Sequence, residues 1–149
     1  MTRAGRLAVT LAAAAALLSS ASAYSADPTV VEIGMINKQD GSQFMILGRG
    51  TVHAGPIIFR VKNRSNDMVH EFLVVQTDLD PNALPMEEDG TKVDEAKLKE
   101  IKEIKELGDL DPGKSSEMRM MLKPGRYLMF CNQPGHFRAG MFAILVVTP

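Results

Sequence analysis

Cys131, the only cysteine in the 149-residue chain, ends the apolar run Tyr127-Leu-Met-Phe, and His136 and Met141 follow it at five-residue steps. Pro134-Gly135 places a turn before the imidazole. Gly140 lets the chain close before Met141 opens another apolar run. The fold must therefore carry a strand that stops, a tight return, and a strand that leaves again, with a thiol, an imidazole and a thioether held together on the return. Those three groups, joined by a second histidine from elsewhere, make the ligand set of a mononuclear copper electron-transfer site.

Each of these residues has a plainer use. A lone cysteine at a strand end is often a small buried hydrophobe, and nine methionines beyond residue 23 make core packing the ordinary role for Met141. His136 and Met141 on the same loop turn the reading toward a metal, with Met141 as its long, weak axial ligand. For the second imidazole only His53 and His70 remain. His70 is preferred, because it opens Val69-His-Glu-Phe-Leu-Val-Val just after the polar turn Asn63-Arg-Ser-Asn-Asp67 and so leaves a rigid strand end. His53, in Gly50-Thr-Val-His-Ala-Gly55, reads as a solvent-facing residue.

Arg3 and Arg6 precede a short apolar stretch ending near Leu18, and Ala21-Ser22-Ala23 offers a cleavage pattern, so residues 1–23 read as a secretory leader. A dozen apolar residues fall short of the ~20 that span a bilayer. The expected mature chain, 24–149, is one domain with a net charge near −3, which offers nothing to nucleic acid. In an exported protein a single cysteine cannot form an internal disulfide. It is a free thiol, an intermolecular bridge or a metal ligand.

Short runs rich in Val, Ile and Phe occupy 29–36, 44–47, 56–62, 69–76, 117–122, 126–131 and 141–147, with turn signals at Asp111-Pro-Gly113 and Lys123-Pro-Gly125. Seven or eight short strands imply an all-β sandwich or barrel. Between Leu79 and Gly108 the composition changes to acids, lysines and spaced aliphatics. Thr91-x-x-Asp94, the stripe Val93, Leu98, Ile101, Ile104 and Leu107, and the four-apart pairs Glu95/Lys99 and Lys102/Glu106 predict one inserted α-helix over 92–107, ended by Gly108. Its mixed charge is read as a solvated face that lends some cover to the sandwich edge, not as a docking patch. Met118, Met120 and Met121 are read by strand alternation as ordinary packing, not as a copper-collecting cluster.

The segment Pro-Gly-Arg-Tyr-Leu-Met-Phe-Cys131-Asn-Gln-Pro-Gly-His136-Phe-Arg-Ala-Gly-Met141 and the segment Ala54-Gly-Pro-Ile-Ile-Phe-Arg-Val-Lys-Asn63 with His70 resemble the cupredoxins of the plastocyanin/azurin type. The likeness runs over about 29–147. It implies a Greek-key β-sandwich, one type 1 blue copper ion held by His70, Cys131 and His136 with Met141 axial, and one-electron transfer between redox partners. In many relatives the residue after the first histidine is Asn, whose amide ties the ligand loops together. Here it is Glu71, whose carboxylate could alter the potential, approach the metal or simply make a surface ion pair.

The expected function is that of an exported, monomeric electron carrier, not an enzyme. A partner such as a cytochrome would dock briefly near His136, on a surface expected to include Pro134 and Phe137. The alternative is a copper tolerance or delivery protein in which the metal is cargo. A copper reductase or oxidase would need an open metal position or further histidines, and a zinc hydrolase would not choose a thioether.

Overall fold

The computed structural model describes residues 27–149 apart from residue 102, with no side-chain detail at residues 100 and 101; the expected leader, 1–23, lies outside these described residues. Among these described residues nine strands form two sheets. They are β1 (Thr29–Asn37), β2 (Gln43–Leu47), β3 (Thr51–His53), β4 (Gly55–Asn63), β5 (His70–Gln76), β6 (Ile104–Leu110), β7 (Ser115–Leu122), β8 (Gly125–Phe130) and β9 (Phe142–Thr148), with one α-helix, α1 (Glu95–Ile101). One sheet has the order β2-β1-β4-β7 and the other β3-β9-β8-β5-β6. β1 runs parallel to β4 and β3 to β9, and all other pairs are antiparallel.

Strand alternation builds the core. In β1 Val31, Ile33 and Met35 point inward, as do Ile57, Phe59 and Val61 in β4, and all are buried. On the outer face Arg60 bridges Glu32 at 2.8 Å and Glu117 at 3.0 Å. β5 and β8 differ, because both of their faces are covered. Phe72, Val74, Tyr127, Met129 and Cys131 join the inner core. Leu73, Val75, Leu128 and Phe130 join a second cluster with Leu84, Val93, Leu98 and Phe137. That double burial is why Phe72-Leu-Val-Val75 reads as an unbroken apolar run. The segment following β5 therefore covers an outer sheet face and not merely an edge.

The sandwich is as expected, with nine strands in place of seven or eight. The helix over 92–107 is corrected: α1 covers only Glu95–Ile101, and the chain continues as β6, which pairs with β5. Asp94 caps α1, accepting the Lys97 N–H on Oδ1 at 3.0 Å, while Thr91 lies outside the helix and Lys99 meets Glu95 at 3.1 Å. Spacing misled because β6 carries a bulge. Glu71 pairs with Asp109 but Leu73 with Glu106, so Leu107 and Gly108 together face Phe72, and Gly108 adopts φ +75°. The bulge lets Leu107 and Leu110, three apart, both reach the inner core. A three-residue spacing thus mimics a helical stripe, and the glycine taken for a helix stop is a bulge glycine. β3 is also an addition, only three residues long. Met118 is buried and Met120 packs inward, whereas Met121 on the opposite face is 72% exposed.

No helix among the described residues is long and apolar enough to cross a membrane.

Candidate metal centre

His70 begins β5, Cys131 follows the last residue of β8, and Met141 precedes the first residue of β9, so all three gather at one pole of the sandwich. His70, Cys131 and Met141 have no solvent exposure, and His136 is half-buried. The return between the strands is closed by its own backbone. The Cys131 N–H donates to Met141 O at 3.0 Å, Met141 N–H to His136 O at 3.0 Å, and His136 N–H to Gln133 O at 3.0 Å. At Gly140, with φ +102°, an added Cβ would stand 3.2 Å from the Gln43 carbonyl oxygen. Only glycine permits both that backbone conformation and that approach.

Upstream, Asn63 shapes the turn that delivers His70. Its buried amide donates to Met68 O and Leu110 O, each at 2.8 Å, and accepts from Ser65 N–H at 2.9 Å and Ser65 Oγ at 2.6 Å. Leu110 is the cross-strand partner of His70. The turn is thereby fixed to the strand that flanks the histidine.

Three donor atoms converge. His70 Nδ1 lies 3.1 Å from His136 Nδ1, Cys131 Sγ lies 3.4 Å from His136 Nδ1, and Cys131 Sγ lies 3.8 Å from His70 Nδ1. The circle through a triangle of those sides has a radius of about 2.0 Å, which matches a first-row metal–nitrogen bond and falls slightly short of a metal–sulfur bond. With the imidazole protons on Nε2, two nitrogen acceptors and a sulfur would face one another at these distances, an arrangement that a cation between them would relieve.

Electrostatics agree with a soft cation site. Burial, and secondarily His136, holds the His70 imidazole down to about 4, and burial also lowers His136. Both rings are therefore neutral at pH 7, as metal ligation requires. Burial pushes the Cys131 thiol up to about 11, opposed by the backbone N–H of Glu71, which points at the sulfur from 3.3 Å. A bound cation would draw off the thiol proton. Two imidazoles, a thiol and a buried thioether fit copper better than magnesium, calcium or zinc.

His70, Cys131 and His136 bring their donor atoms together at this pole, and Met141 is buried on the same return, its carbonyl accepting the Cys131 N–H. His53 does not. It sits at the far end of β9, its Nδ1 2.9 Å from Pro149 O. Phe137 is corrected as a docking residue: it is 5% exposed and packs on Phe130 and Phe142, while Pro134 stays exposed. The Glu71 carboxylate groups with those of Glu95 and Glu106, and burial, then Glu95, raises its pKa. Sequence reading missed Asn132, whose amide is buried against Val93 and Glu95. A polar residue next to Cys131 was the only signal.

No family model and no curated protein matches the chain. Solved structures do. A reduced auracyanin from Roseiflexus castenholzii is 24% identical, with 83% of this chain and 99% of that one aligned at a TM-score of 0.55. Rusticyanin from Thiobacillus ferrooxidans is 16% identical, with 84% and 80% aligned at 0.60. A multi-copper oxidase from Pediococcus acidilactici is 18% identical at 0.51, with 82% of this chain matching 26% of that one. The two-sheet sandwich of this chain has the cupredoxin fold.

Proposed function

We propose that this chain is an exported copper protein that carries single electrons, with His70, Cys131 and His136 as equatorial ligands of one copper ion and Met141 as the axial ligand. The convergence of two imidazole nitrogens and one thiol sulfur within 3.8 Å of one another carries the reading. Copper would supply a centre that cycles between Cu(I) and Cu(II). The chain contributes rigidity. Its ligands leave strand ends and a hydrogen-bonded loop, so neither oxidation state can impose its preferred geometry, and little rearrangement accompanies a change of charge.

The three remaining groups are sealed from solvent, and His136 alone is partly exposed. The His136 edge, beside exposed Pro134, would be the route by which an electron reaches and leaves the bound copper. A cytochrome-like partner would dock there in a small, brief encounter. Export rests on the leader-like residues 1–23. The likeness to part of a multi-copper oxidase raises an enzymatic reading, but His53 is held at the opposite pole, and a carrier needs only the one centre.

Stopped-flow mixing of the reduced, copper-loaded protein with an oxidised c-type cytochrome tests the carrier role against a cargo role. Fast, reversible electron exchange with the copper retained is expected. Slow exchange accompanied by ready copper transfer to an acceptor chelator would replace the carrier with a delivery protein.

A further inference from the structure

The ligand loop is fastened to the segment between β5 and β6, outside the sandwich. Asn132, next to Cys131, is 1% exposed. Its Oδ1 accepts the Val93 N–H at 2.7 Å, and its amide nitrogen donates to Val93 O at 3.1 Å and to Glu95 Oε1 at 2.9 Å. The side chain thus pairs with both backbone groups of Val93 as a neighbouring strand would. Two residues beyond Pro134's predecessor, the contact is repeated by backbone alone, where Gly135 N–H donates to Thr91 O at 2.8 Å. Phe137 then enters the cluster that contains Val93 and Leu98.

We propose that Asn132 is a positioning residue that clamps the Cys131–His136 loop to the inserted segment, so that the segment sets the geometry and retention of the metal. The proposal rests on the copper reading. Its physical basis is the placement of those bonds. Cys131 is held from one side by the Glu71 N–H at its sulfur, and no ligand residue lies between Asn132 and His136. Rotation of the peptide after Cys131 would swing the His136 ring relative to the sulfur. Buried amide bonds to Val93 oppose that rotation, since breaking them strands polar groups away from water. The inserted segment is itself anchored by Leu84, Val93 and Leu98 against β5 and β8, which makes it a firm support.

The experiment uses Asn132→Ala and Glu95→Ala in the full chain, with two readouts. In the metal-free protein, amide hydrogen exchange at Val93 and Gly135 should quicken at least tenfold in Asn132→Ala and two- to threefold in Glu95→Ala, which loses one bond of the three. In the copper-loaded protein, copper loss to a chelator should quicken by similar factors, with a shift in the thiolate-to-copper absorption and in the reduction potential. Faster exchange with unchanged copper loss, spectrum and potential overturns the proposal, leaving Asn132 a structural residue. Unchanged exchange at Gly135 overturns it as well. If Asn132→Ala does not fold, Glu95→Ala decides by the same readouts. A parent protein with no thiolate-to-copper absorption would overturn the copper reading and this role with it, while the exchange data would still show whether loop and segment are coupled.

Discussion

His70 shows how much one residue's surroundings can decide. Its imidazole is buried, with Nε2 lacking a hydrogen-bond partner among the described residues, and its folded pKa of about 4 lies below the ordinary 6.5. The unfolded chain therefore takes up a proton first as pH falls. In the metal-free protein this stabilisation is complete above about pH 6.5 and drains away toward pH 4. Denaturation midpoints of metal-free protein across that window should fall with pH more steeply in the parent than in His70→Gln; equal slopes in the two proteins would show that His70 is not held neutral. His70 could be singled out in the sequence because it opens an apolar strand after a polar turn, and the fold places it, and not His53, beside Cys131 and His136. Asn132 was not legible, since its partners lie about forty residues away in a segment whose path no local pattern dictates.

At the scale of elements, the strands that proved easiest to read are those whose residues satisfy a single rule. β1 and β4 alternate over part of their length, at Val31-Glu32-Ile33 and Phe59-Arg60-Val61, and β5 and β8 carry the unbroken buried runs Phe72–Val75 and Tyr127–Phe130 because both faces are covered. β6 obeys neither rule. Its charged residues, its bulge and the three-residue spacing of Leu107 and Leu110 imitate a helix, and only pairing with β5 overrides that preference. The inserted segment depends on a few apolar anchors. Leu98 is fully buried in the outer cluster, so Leu98→Ala should cost about 2–5 kcal/mol, measured by chemical denaturation. A loss below about 0.5 kcal/mol would mean that the segment packs loosely and cannot serve as a support.

Across the whole molecule, two cores share β5 and β8, and the candidate centre lies where those strands meet the pole. The inner core holds Cys131 and Met141; the outer core holds Phe137, next to His136. The ligand loop therefore spans both cores, which explains how a short return can be rigid without a disulfide. Copper is proposed to sit between His70, Cys131 and His136, bonded to the thiolate. Visible absorption of the copper-loaded protein, beside Cys131→Ser loaded in the same way, tests it most directly. One copper per chain is expected, with intense thiolate-to-copper absorption in the parent and none in the variant; a parent without that band, or a variant that keeps it unchanged, would mean that no copper is bonded to the Cys131 sulfur.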